Sequence, residues 1–278
     1  MNKYISFLLL LVVVVFSGCG QSQKKTGQRI VTVTIEPLRY FTERIAGDKF
    51  QVQTMVPAGG NPETYEPSAQ QMVDLSQSDL YIKVGSIGFE RTWMKRLEAN
   101  APHAIVIDSS EGITPALSAE GVNDPHTWMS TTNASVIATN IYRALSNIDN
   151  RDSLYFRKNL DALLADIDNV DTQIREQLTR YKSTAFLIYH PILTYFARDY
   201  RLTQIPMEQE GREPSAKQLS ETIAEARKMN VHTFFVQKEF SNRNVEVVAA
   251  SVGAKKVPIH PLGYDWDKEM VKIATLLR

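Results

Sequence analysis

Three of the chain's five histidines stand beside a proline where strands pass into loops. They are His126 in Asp124-Pro125-His126-Thr127-Trp128, His190 in Ile188-Tyr189-His190-Pro191, and His260 in Pro258-Ile259-His260-Pro261-Leu262-Gly263. A carboxylate, Glu63, occupies a similar loop, Gly59-Gly60-Asn61-Pro62-Glu63-Thr64-Tyr65-Glu66-Pro67. Three imidazoles and one carboxylate are the donors of a tetrahedral, zinc-like site, provided that the fold gathers them. Singly, each has a plainer use: Glu63 as a solvated loop carboxylate, His190 as a helix-start residue, His260 as a satisfied histidine under a turn. The order of the four, two in each half of the chain, is what points to one shared site. The same donors also suit a hydrolase, in which His126, His190 and His260 hold zinc, an open position takes water, and Glu63 is the base. No His-Glu-x-x-His element accompanies them. His103 and His232 lack the proline-loop setting and read as structural or exposed.

The elements that must position these residues alternate. Strands are expected at Ile30–Ile35, Phe50–Val56, Leu80–Gly85 and Ala104–Asp108, then at Thr184–Tyr189, Leu202–Met207, Thr233–Gln237 and Lys256–Ile259. Helices are expected between them: Leu38, Phe41 and Ile45 on one face, Ala69–Ser76, Phe89–Ala99, one from near Thr132, Ile192–Tyr200, Ser215–Met229 with Ser215 as N-cap, Arg243–Val252 and Trp266–Leu277. Such alternation implies parallel strands with crossover helices, hence α/β, in two similar lobes. Between the lobes, Asp152 to Arg180 holds neither Gly nor Pro. Its apolar residues, Phe156, Leu160, Leu163, Ile167, Val170, Ile174 and Leu178, step by four and three along one stripe. A single helix there would run roughly 43 Å and act as a stiff spine; a break near Asp166-Ile167-Asp168-Asn169 is the alternative. The expected division is a leader at 1–19, a tether at 20–28, a first lobe at 29–150, the linking helix at 151–181 and a second lobe at 182–278.

Ligands of open α/β sheets bind beyond the carboxyl ends of the strands. Glu63, His190 and His260 follow strands and His126 precedes a helix, so all four can reach one interlobe cleft. A proline beside each fixes local dihedrals and lowers the entropy lost on ordering the loop. Tyr65, Trp128 and Tyr189 are candidates for walling that cleft from water.

Composition narrows the partners. Lys plus Arg and Asp plus Glu number 31 each, without a basic stripe, which argues against nucleic acid. Lys3 and the apolar run Ile5–Phe16 read as a secretory leader, because a spanning helix needs about 20 residues. Ser17-Gly18-Cys19 resembles a lipobox, with Phe16 where an aliphatic residue is usual, so Cys19 is expected to carry a lipid as the mature first residue. It is the only cysteine, so the mature chain has no disulfide and no thiolate metal site. The polar stretch Gln21–Gln28 suits a tether. The expected location is the cell envelope, on the periplasmic or extracellular face, held to the membrane by the lipid alone.

From about Arg29 to Arg278 the chain resembles the metal-binding solute-binding lipoproteins of zinc and manganese ABC transporters. The resemblance rests on Val56-Pro57 through Thr64-Tyr65-Glu66-Pro67, on Asp124-Pro125-His126-Thr127-Trp128, and on His190 with Tyr195-Phe196-Ala197-Arg198. It continues in Glu213-Pro214-Ser215, Phe235-Val236-Gln237, Phe240-Ser241 and Pro261-Leu262-Gly263. It implies two α/β lobes joined by one long rigid helix, with the metal in the interlobe cleft. The protein would be a monomer that binds metal, is not an enzyme, and delivers the ion to an ABC permease. Where the family usually has His in its Pro-His-Thr-Tyr-Glu-Pro loop, this chain has Glu63; where it usually has Asp before Pro-Leu-Gly, this chain has His260. His126 and His190 match directly, so the implied metal ligands are Glu63, His126, His190 and His260. Three imidazoles favour Zn2+, with Mn2+ less favoured because manganese-type relatives usually carry two carboxylates. The stretch Glu111–Asn123, where many zinc importers place a His-rich loop, has no histidine. Capture is expected to pair Glu63 and His126 of the first lobe with His190 and His260 of the second, and slight lobe separation to release the ion. A surface-adhesin role has no specific sequence support.

Overall fold

The computed structural model describes residues 27–118, 121–181, 183–208, 213–237 and 243–277. The expected leader, Cys19 as the expected site of lipid attachment, and most of the expected tether lie outside the described residues, as does the Phe240-Ser241 pair. Among the described residues no helix is long and apolar enough to cross a membrane.

The first lobe carries a parallel sheet ordered β2-β1-β3-β4, made of β1 (Arg29–Val33), β2 (Phe50–Thr54), β3 (Leu80–Lys83) and β4 (Ile105–Asp108). The second repeats the order as β6-β5-β7-β8, with β5 (Ala185–Ile188), β6 (Thr203–Pro206), β7 (Thr233–Gln237) and β8 (Lys255–Ile259). Both sheets are parallel throughout. Their inner strands are near-continuous β-branched and aromatic runs because helices cover both faces. The two α/β lobes expected from the alternation are therefore present, each switching direction between its first and third strands. At β1 the chain leaves the ladder two residues earlier than expected. Ile35 is the N-cap of α1 (Glu36–Ala46), and Pro37 sits in the first turn, where its missing N–H costs nothing.

The remaining helices are α2 (Ala69–Leu75), α3 (Gly88–Asn100), α4 (Thr131–Ile148), α5 (Ser153–Leu178), α6 (Thr194–Tyr200), α7 (Ala216–Lys228), α8 (Arg243–Val252) and α9 (Trp266–Leu276). Ser215 caps α7 as expected, in a reciprocal pair with Gln218. Ser130 caps α4. The α5 spine is unbroken over 26 residues, about 39 Å. Phe156, Leu160, Leu163, Ile167, Val170 and Ile174 are its buried face. That face packs on α1 and α4 of the first lobe and on α9 of the second.

The spine is not the only bond between lobes. Trp266 at the start of α9 packs on Phe41 of α1, ring centroids 5.0 Å apart, and Tyr264 donates to Glu43 at 2.6 Å. One hydrophobic cluster runs from the first sheet through α1, α4, α5 and α9 into Phe186, Ile188 and Phe235 of the second sheet. A smaller cluster around Leu187, Phe234 and Val248 lies on the far side of that sheet.

Candidate metal centre

A cavity of about 360 Å³ opens between the lobes, lined among others by Glu63, His126, His190, Gln237, His260 and Pro261. All four residues singled out by type and spacing face this one space. His103 and His232 are exposed elsewhere. At the centre, Nε2 of His190 lies 3.3 Å from Nε2 of His126, with the rings nearly perpendicular at 87°. Two nitrogens bound at about 2.0–2.1 Å to one tetrahedral zinc stand about 3.3–3.4 Å apart. The pair is thus spaced as one edge of a zinc tetrahedron.

His126 is buried, and its orientation is fixed by its own loop. Asp124 accepts from the His126 ring Nδ1 at 2.9 Å and from the His126 backbone N–H at 2.8 Å. Its other oxygen accepts from the Thr194 hydroxyl at 2.6 Å. Burial pushes the Asp124 carboxyl up, but the His126 ring and the Thr194 hydroxyl outweigh it and hold the group below its ordinary value. With Nδ1 donating to Asp124, Nε2 of His126 presents its lone pair to the cavity.

The loop that carries His126 follows first-lobe sequence but is fastened to both lobes. Tyr195 of α6 donates to the Asp124 carbonyl at 2.9 Å, and the Trp128 indole donates to the Pro261 carbonyl at 2.8 Å. Trp266 donates to the Trp128 carbonyl at 2.7 Å. On the first-lobe side, Ser110 and Thr127 share a hydroxyl contact at 2.7 Å and Asn133 donates to the Thr127 carbonyl at 3.0 Å. The support of His126 comes in large part from α6 and the His260-Pro261 loop.

His190 leaves the end of β5 and is clamped by the end of β7. The Gln237 amide accepts from the His190 backbone N–H at 3.4 Å and donates to its carbonyl at 2.9 Å. Its ring Nδ1 faces Glu208, 3.4 Å from both carboxylate oxygens.

Glu63 and His260 sit at the mouth, and both are exposed. The Glu63 carboxylate turns to the start of α3, where it accepts from the Gly88 N–H at 3.3 Å and pairs with Arg91 at 3.4 Å. The N-cap residue of α3 is Ile87, which has no side-chain acceptor, so a loop carboxylate takes the role. A β-carbon on Gly88 would lie 2.1 Å from Glu63 Oε2, so only glycine admits this approach. Glu90 holds that helix start in place, accepting from the Val84 and Gly85 N–H groups and the Thr34 hydroxyl, while burial pushes its carboxyl up. For His260 the backbone is tied, its N–H donating to Glu269 at 2.6 Å and its carbonyl accepting from Gly263. Among the described residues no three His, Cys, Asp or Glu side chains are close enough to hold an ion in this conformation. The structure brings His126 and His190 together; Glu63 and His260 border the same cavity without closing on it.

Of the three aromatics proposed as walls, Trp128 lies edge-on to His126 at 5.4 Å. Tyr65 instead packs on Phe89, and Tyr189 belongs to the second lobe's own core. The supports Asp124, Glu208 and Gln237 were not assigned roles from the sequence. Asp124 had a local signal, a carboxylate two residues before a histidine. Glu208 had none, because its approach to His190 depends on β5–β6 register.

The family model described as zinc-uptake complex component A, periplasmic, matches residues 31–273. The high-affinity zinc uptake system protein ZnuA of Bacillus subtilis is 24% identical, covering 92% of this chain and 87% of its own. The manganese ABC transporter substrate-binding lipoprotein PsaA of Streptococcus mitis is 27% identical over 91% of this chain and 86% of its own. A solved zinc-bound deletion mutant of ZnuA superposes with a TM-score of 0.84 at 37% identity, covering 89% of this chain and 96% of the other.

Proposed function

The chain belongs to the family of periplasmic zinc-uptake component A proteins, and on that premise we propose that it captures Zn2+ outside the cytoplasm and hands it to an ABC-type import permease. It is a transport component and not an enzyme; the zinc-hydrolase alternative has only the ligand types behind it. The observation that carries the reading is the 3.3 Å spacing of the two imidazole Nε2 atoms inside the interlobe cavity.

In this reading the ion first meets His126 and His190, whose Nε2 atoms already stand 3.3 Å apart in the cavity. His260 and Glu63 then close from the mouth, giving three nitrogens and one oxygen. Glu63 must leave the Gly88 N–H and Arg91 to do so, a modest cost because exposed ion pairs are worth about 0–1 kcal/mol. Three imidazoles select zinc over manganese, whose preferred donors are oxygens. Because Trp266, Tyr264 and the α5 stripe already join the lobes, capture and release are small shifts of the mouth loops rather than wide closure of the lobes. We further propose that the chain is a monomer held to the envelope membrane through a lipid on Cys19, with Gln21–Gln28 as the tether.

The test is metal content and preference. The protein, stripped and reloaded with equal Zn2+ and Mn2+, is expected to retain about one zinc per chain and little manganese, read by elemental analysis after gel filtration. Retention of manganese instead of zinc would overturn the metal assignment.

A further inference from the structure

Glu208 is a buried carboxylate, 5% exposed, two residues past the end of β6. Its Oε2 has no hydrogen-bond partner among the described residues. A carboxylate oxygen buried without a partner is costly, and such groups are kept where a function needs them. The register of the second sheet delivers it: Met207 N–H bonds to the Ile188 carbonyl at 2.8 Å and Glu208 N–H to the Tyr189 carbonyl at 3.0 Å. That ladder sets Glu208 beside the residue preceding His190, with both carboxylate oxygens 3.4 Å from the ring Nδ1.

An imidazole that gives one nitrogen to a metal carries its proton on the other, and that proton needs an acceptor. His126 has such an acceptor in Asp124, which is also engaged by Thr194. The group in the same place behind His190 is Glu208. We propose that Glu208 is the positioning residue of His190: it accepts a hydrogen bond from the ring Nδ1–H, keeps Nε2 directed into the cavity that His126 also faces, and raises the donor strength of the ring toward the ion. The proposal rests on the reading of His190 as a zinc ligand. The two histidines are then a matched pair of carboxylate-backed donors, one backed from its own loop and the other from a neighbouring strand.

The experiment is zinc affinity by competition with a chelator, together with the melting temperature of the metal-free protein. Glu208→Gln keeps shape and a weak acceptor, whereas Glu208→Met removes the acceptor. Zinc affinity is expected to fall about 10-fold in the first and up to about 100-fold in the second. The metal-free melting temperature is expected to hold or rise, since neither substitute buries a carboxylate. In a His190→Ala background neither substitution should weaken zinc further. Unchanged affinity in both variants, or a loss that persists without His190, overturns the proposal while the ligand assignment stands. If His190→Ala itself binds zinc like the parent, the ligand assignment falls and the proposal with it.

Discussion

His126→Ala and His190→Ala are each expected to weaken zinc binding by roughly 100- to 1,000-fold. Zinc sites of structural strength contribute about 10–16 kcal/mol, so one of four ligands carries about 3–4 kcal/mol, and 1.4 kcal/mol is tenfold. The loss should be larger here than for Glu63→Ala or His260→Ala, for which about 10-fold is expected. The reason is preorganisation: the Nε2 atoms already stand 3.3 Å apart, while Glu63 is engaged at α3 and His260 is exposed. A ligand that must be recruited returns part of its bond energy as ordering and displacement costs. Chelator competition on the four variants reads the order directly. Equal losses at all four positions would mean that no pair is preset.

Trp128→Ala is expected to cost the metal-free protein about 3–5 kcal/mol, the range for truncating a large buried aromatic. Trp128 is fully buried, donates to the Pro261 carbonyl, accepts from Trp266 through its own carbonyl, and lies against His126. It therefore fastens three things at once: the His126 loop, the His260-Pro261 loop and the start of α9. Urea unfolding should show a lower midpoint with an unchanged slope, because the surface exposed on unfolding is nearly the same. Trp128→Phe, which keeps most of the packing but orphans the Pro261 carbonyl, should cost about 1–3 kcal/mol. A Trp128→Ala cost below about 1 kcal/mol would contradict the anchoring of these loops to one another.

Much of the fold was legible because its signals are local. Strand-helix alternation, the Gly- and Pro-free stripe from Phe156 to Ile174, and the Ser215 cap each follow from residues close in sequence. His190 and His260 were legible as proline-flanked histidines just past strand ends, whereas His126, expected at such a strand exit, lies instead in a loop ahead of α4, 18 residues beyond the end of β4. What escaped was decided by pairs far apart in the chain. Ile87 cannot cap α3, but only the folded loop shows that Glu63 takes that role and that Gly88 makes room for it. Glu208 reaches His190 through parallel register, and Gln237 clamps it through the adjacent strand. The anchoring of the His126 loop to α6 and Pro261 spans separations of 71 and 133 residues. Assigning His126 to a lobe by its place in the sequence could not foresee that.

We propose that one zinc ion is held by His126, His190, His260 and Glu63. X-ray absorption at the zinc edge of the protein loaded at one equivalent tests it most directly. Four light-atom neighbours at about 2.0–2.1 Å are predicted, three of them showing the outer-shell scattering of imidazole and one an oxygen that is lost or replaced in Glu63→Ala. Two or fewer imidazoles, or a Glu63→Ala spectrum and affinity identical to the parent's, would contradict it.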